Sequence, residues 1–227
     1  MYMLYQRSND MFAGIGGSRC LGIEREGSDI DLLIISNYPK YKMRIKGSYN
    51  TLYREPQDFF NQITSLDAGY IHIYQYLYPY QFMTDGYFTQ WVIDNRDELV
   101  SENRRAMFNT IYRYVEYVYN NFDIFFKIAR KRVVYALCYG ETLYQYLNGV
   151  SLTDCMRTSG KWQETLRSVF KQDVSYDDTF GLLNNIRSEI ALFDNSVKEI
   201  TDKPITQELQ MIINNTIFDD YADSIVD

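Results

Sequence analysis

The stretch that most restricts the fold of this chain is Gly16-Gly17-Ser18, followed after ten residues by Asp29-Ile30-Asp31 and the apolar run Leu32-Leu33-Ile34-Ile35. A glycine pair allows a turn that side chains with a Cβ resist. Carboxylates at i and i+2 of a strand point to one side of it. Asp29 to Ser36 reads as a strand whose nearly continuous apolar stretch implies burial on both faces. The chain must therefore build a sheet with a tight turn and two carboxylates at one end.

The first eighty residues or so are short apolar runs broken by Gly, Ser, Asn and Pro, the texture of strands and turns. Phe12 to Ile15 reads as a strand leading into the glycine turn, and Ser18 to Ile23 as one or two helical turns. Met43 to Ile45 and Tyr49 to Tyr53 read as strands paired across Lys46-Gly47-Ser48. Pro56 fits the first turn of a helix reaching about Leu66, with Phe59, Phe60 and Ile63 on its apolar side. From about Asp94 the period becomes helical. Phe108, Ile111, Tyr112, Val115, Tyr119 and Phe122 share one face. A helix from Ile124 to Leu147 should stop at Gly149. Leu182, Ile186, Ile190, Phe193, Val197 and Ile200 form another stripe, capped by Asp178 or Thr179. A last helix begins near Pro204, with Leu209, Ile212, Ile213 and Ile217 inward. The expected class is α+β: a mixed β-sheet with flanking helices over 1–100, then a helical domain over 101–227.

Composition removes several chemistries. With a single histidine, His72, and three scattered cysteines, Cys20, Cys138 and Cys155, neither a His-rich zinc site nor a Ser-His triad has material. His72, in the alternating run Tyr70 to Tyr74, reads as a half-buried structural residue. Trp91 and Trp162 read as packing anchors, and Glu24 and Glu26 as loop charges. Carboxylates remain as metal ligands, and their oxygens suit Mg²⁺ or Mn²⁺. A net charge of −7 disfavours non-specific binding to nucleic-acid backbones. No run approaches the roughly 18 apolar residues of a membrane span, and the N-terminus lacks the order of a signal peptide. A soluble, cytoplasmic protein is expected.

The turn and the carboxylates suggest a site for a nucleoside triphosphate and a divalent cation. Gly17 permits close approach of the backbone, and Ser18 adds a hydroxyl. Asp29 and Asp31 can share one metal ion. Lys127, Arg130 and Lys131, at i, i+3 and i+4, would share a helix face from which to meet distal phosphates. Arg19 is a further phosphate candidate.

Gly17-Ser18, the spacer and Asp29-Ile30-Asp31 together resemble the signature of the nucleotidyltransferase superfamily that includes DNA polymerase β and the minimal nucleotidyltransferases. The fuller string Gly17-Ser18-Arg19-Cys20-Leu21-Gly22, then Gly27-Ser28-Asp29-Ile30-Asp31, is similar to nucleotidyltransferases of bacteria and large phages. The strong match covers Ile15 to Ile35. A weaker one covers Arg130-Lys131-Arg132, Tyr135 and Leu143 to Gly149. The resemblance implies metal-dependent transfer of a nucleoside monophosphate to an acceptor hydroxyl, with release of pyrophosphate. The acceptor would be an RNA end, a protein side chain or a small molecule. Active members carry a third acidic residue on a neighbouring strand. Here Asn50 takes that place, with Glu55, Asp58 or Asp67 as substitutes. The alternative is a degenerate, nucleotide-binding or antitoxin-like module of the same fold.

Overall fold

In a computed structural model that describes residues 10–37, 43–46 and 48–223, β1 (Asp10–Ile15) leads through the glycine turn into α1 (Gly17–Cys20). The chain then returns as β2 (Ile30–Ser36), antiparallel to β1, with Ile15 opposite Leu32. A hairpin follows, β3 (Met43–Lys46) and β4 (Tyr49–Arg54), with Lys46 opposite Tyr49. Its Gly47 lies outside the described residues. β4 lies parallel to β2, and this register sets Asn50 beside Asp31. Leu33, Ile34 and Ile35 of β2 are all buried, so both faces of the strand are covered as its apolar run requires.

Pro56 opens α2 (Pro56–Thr64) at a position where its missing N–H costs nothing, and Phe59 and Ile63 are fully buried one turn apart. The alternating run after it forms no strand. Ile71–Ile73 is a 3₁₀ turn that continues into α3 (Tyr74–Leu77), because aromatic side chains on every side of this segment find the core. β5 (Gln81–Phe82) then completes a five-stranded sheet in the order β3-β4-β2-β1-β5.

The remaining elements of the described chain are helices. α4 (Tyr87–Glu102) starts earlier than the sequence pattern suggests, and α5 (Arg104–Asn120) follows across Asn103. The expected boundary at residue 100 falls inside α4. The single helix expected from Ile124 to Leu147 is two: α6 (Phe122–Ile128) and α7 (Arg130–Leu147), with Ala129 in a non-helical conformation between them. α8 (Leu152–Cys155) and α9 (Gly160–Lys171) follow. α10 (Tyr176–Ala191) is capped by Ser175, whose hydroxyl accepts the Asp178 N–H at 3.1 Å, three residues ahead of the expected cap. It ends before Phe193 and Val197, which pack from the turns beyond it. α11 (Pro204–Asp223) closes the described chain, and Ile217 is among its residues whose side chains lie outside the description.

α7 is the centre of the helical layer, packed by α5, α6, α8, α9 and α10. At Gly140 an added Cβ would fall 2.5 Å from Ile186 Cγ2, so glycine is what lets α7 and α10 approach. A single apolar cluster runs from Phe12 and Leu33 in the sheet to Val134 and Leu137 in α7 and Leu183 in α10. α11 returns to pack on α4 and α2. The buried Glu102 carboxylate accepts the Ile205 and Thr206 N–H groups at 2.9 and 2.8 Å, so a side chain of α4 caps α11. Among the described residues no helix is long and apolar enough to cross a membrane.

Candidate active site

β1 runs towards the end of the sheet from which the parallel strands β2 and β4 start, so the glycine turn, Asp31 and Asn50 meet at one end. The turn is pinned there: the Gly16 N–H donates to the Asp31 carbonyl at 2.8 Å. Gly17 sits at φ +65°, and an added Cβ would fall 2.6 Å from Asp31 Cγ and closer still to Oδ2. The backbone of the turn therefore lies directly against the Asp31 carboxylate, an approach that only glycine permits.

Asp29 and Asp31 face the same side. The Asn50 amide donates to Asp31 Oδ1 at 3.2 Å and reaches Asp29 Oδ2 at 3.5 Å. Asp29 is exposed, one residue before β2, and Asp31 is half-buried. A donor held between two carboxylates stands where a cation would neutralise them. The two carboxylates form a hard-oxygen donor pair, which fits Mg²⁺ or Mn²⁺. Among the described residues no group of three or more His, Cys, Asp or Glu side chains gathers. Glu55 and Asp58 instead line a small cavity with Arg54, at the far end of β4 from Asn50. The side chain beside the two aspartates is thus Asn50, and neither Glu55 nor Asp58 lies with it.

The expected phosphate ligands separate in space. Ser18 and Arg19 lie on α1 beside Gly17, and Arg19 Nε is buried without a hydrogen-bond partner. The Gly17 N–H is not free for a phosphate, because it donates to Gln75 Oε1 at 2.7 Å. The break at Ala129 takes Lys127 off the helix that carries Arg130 and Lys131. Arg130 turns away: it stacks 3.7 Å from the centre of the Phe126 ring and donates to the Phe126 and Val169 carbonyls. That correction follows from the helix break, which aims the first residue of α7 at α9.

Lys131, with Tyr70, His72, Tyr114, Arg132 and Tyr135, lines an open cavity of about 560 Å³. Burial raises the Tyr135 hydroxyl, and the nearby Asp31 charge raises it further. The Tyr70 hydroxyl is raised by burial and by Asp31 against the opposing pull of Arg54, whose guanidinium lies 4.7 Å from the ring centre. Two tyrosines that line this basic, aromatic cavity thus feel the Asp31 charge. Arg54, Tyr70 and Gln75 had no signal of their own in the sequence. Glu24, expected as a loop charge, pairs with Arg157 at 3.1 Å and so ties the loop after α1 to the segment before α9. Trp91 is a packing anchor whose Nε1 donates to Glu208 at 2.8 Å. All three cysteines are buried and free, and burial pushes the Cys20 thiol up to about 12.

Burial, with Lys131 and Arg54 nearby, lowers His72 from 6.5 to about 4. Above pH 6.5 the ring is neutral in both folded and unfolded chains. As pH falls below 6.5, the unfolded chain takes up a proton that the folded chain refuses until about pH 4. Stability should drop across that window by about 3 kcal/mol from this ring. Urea melts of the protein and of His72→Gln at pH 7.5, 6 and 5 check it: the variant should lose this part of the slope, and identical slopes would refute the assignment.

No family model matches this chain, and no curated protein matches it.

Proposed function

We propose that the protein is a metal-dependent nucleotidyltransferase, which moves a nucleoside monophosphate from a nucleoside triphosphate to an acceptor hydroxyl and releases pyrophosphate. The observation that carries this reading is the meeting of Gly17, Asp31, Asp29 and Asn50 at one end of the sheet. The resemblance to the nucleotidyltransferase superfamily supplies the chemistry for that arrangement. Mg²⁺ or Mn²⁺, held by Asp29 and Asp31, would neutralise phosphate charge and stabilise the leaving oxygen.

The chain's own residues supply position. Gly17 keeps against Asp31 the turn that opens α1, the helical turn carrying Ser18 and Arg19. Lys131 contributes positive charge from the helical side of the cleft, and the Tyr70 and Tyr135 rings offer flat apolar faces. The acceptor would be an RNA end, a protein side chain or a small molecule.

Asn50 favours a second reading. A carboxamide can ligate a cation through oxygen but cannot take a proton from an acceptor hydroxyl. A nucleotide-binding module without turnover, serving as a sensor or an antitoxin-like partner, would have this composition.

Calorimetric titration with ATP, GTP, CTP and UTP, with Mg²⁺ or with EDTA, tests what both readings share. Binding of at least one nucleotide that requires the cation supports them; no binding under any condition contradicts both. Asn50→Asp adds a third carboxylate in place of a donor. Without metal its melting temperature should fall by several degrees, equivalent to about 1 kcal/mol, and Mg²⁺ should restore more stability than in the unmodified protein. A thermal melt insensitive to Mg²⁺ would argue against a metal at this place.

A further inference from the structure

Gln75 is a fully buried carboxamide between the glycine turn and α7, and each of its polar atoms is used. Its Oε1 accepts the Gly17 N–H at 2.7 Å. Its Nε2 faces the Tyr139 hydroxyl at 2.7 Å and His72 Nδ1 at 3.2 Å. Tyr139 Oη lies 3.0 Å from the same Nδ1.

The proton positions follow from one fixed donor. A backbone N–H can only donate, so the Gln75 atom facing Gly17 is the oxygen, and the amide cannot be turned over. The other end of Gln75 is therefore the NH₂ group, which can only donate. The Tyr139 hydroxyl accepts one of its protons at 2.7 Å and directs its own proton to His72 Nδ1, 3.0 Å away, so Nδ1 is the acceptor and carries no proton. A neutral imidazole without a proton on Nδ1 carries it on Nε2. His72 also lines the cavity that holds Lys131 and Tyr135. With Nδ1 turned inward to Gln75 and Tyr139, Nε2–H is on the cavity side.

We propose that Gln75 is the positioning residue of this cleft: one carboxamide holds the glycine turn and locks His72 as the Nε2–H tautomer, a fixed donor for an anionic or carbonyl oxygen bound in the cavity. That a nucleotide supplies this oxygen rests on the proposed function; the tautomer does not. In this arrangement His72 is no acid or base. It is a donor whose direction is set through Gln75, which the glycine turn holds in place.

The chain contains one histidine, so ¹⁵N-histidine labelling gives the signals of His72 alone. Long-range ¹H–¹⁵N correlation spectra of the full chain at pH 7 should show a single neutral ring with a protonated Nε2 and an unprotonated Nδ1. Gln75→Leu should turn this into a mixture of tautomers. Tyr139→Phe keeps Gln75 and should move the Nδ1 resonance by several ppm without changing the tautomer. It carries the test if Gln75→Leu does not fold. An Nδ1–H ring in the unmodified protein overturns the proposal. So does an unchanged ring in folded Gln75→Leu, or an unmoved Nδ1 resonance in folded Tyr139→Phe. Titrating the same samples with Mg²⁺ and each of the four nucleoside triphosphates separates the claims. Nucleotide binding that leaves the Nε2 resonance in place overturns the donor role. An Nε2–H ring in a protein that binds no nucleotide sustains Gln75 as the positioning residue and overturns the proposed function.

Discussion

Asp29→Ala/Asp31→Ala should lose at least a hundredfold in affinity for a metal–nucleotide complex, about 2.8 kcal/mol, while the fold survives. The two carboxylates lie near one another, Asp29 exposed and Asp31 half-buried, and among the described residues the Asn50 amide offsets their repulsion. Removing both takes away the anionic ligands of a cation and also relieves that repulsion. The variant should therefore melt no lower than the unmodified protein without metal, and it should gain nothing from Mg²⁺. Calorimetric titration and thermal melts report the two parts separately. Unchanged metal-dependent binding would remove the carboxylates from the site. A collapse in stability would mean that they serve the fold instead.

Gly17→Ala should be the most damaging single substitution in the turn. Alanine at φ +65° is strained, and its Cβ would sit against Asp31 Cγ at 2.6 Å. Neither neighbour yields easily, because the Gly17 N–H is held by Gln75 and the Gly16 N–H by the Asp31 carbonyl. Strain and overlap together should cost roughly 2–5 kcal/mol, read from denaturant melts. Whatever survives should hold nucleotide weakly, since the Asp31 carboxylate must swing out of line with Asp29. A variant with native stability and native affinity would show that the turn is not packed on Asp31. Gly27→Ala is the comparison: that glycine also has positive φ, but no atom lies within 4 Å of its added Cβ. It should cost only the backbone strain.

The parts that could be read from sequence are those that local chemistry decides. Glycine followed by an apolar strand with carboxylates at its start has few ways to fold. The hairpin of β3 and β4 needed only two short strands and a turn, and Asn50 reached its place beside Asp31 through strand register alone. The helix break at Ala129 was hidden because apolar residues keep their helical period across it, from Phe122 and Phe125 to Val133 and Val134. That concealment carried Arg130 into the expected site, where the structure turns it to Val169. The Tyr70 to Tyr74 alternation misled for a related reason: aromatic residues serve a buried turn as well as a strand. Gln75 was invisible, since its partners Gly17 and Tyr139 are 58 and 64 residues away.

The most direct test of nucleotidyl transfer follows pyrophosphate and covalent label from labelled ATP, GTP, CTP and UTP with Mg²⁺ or Mn²⁺, with Asp29→Ala/Asp31→Ala as control. The proposed function expects cation-dependent pyrophosphate release from at least one nucleotide, with label transferred to an acceptor, and neither in the control. Nucleotide bound with the cation but never turned over, in the presence of RNA ends, proteins and small hydroxyl compounds, would contradict transfer and leave the binding module that Asn50 favours.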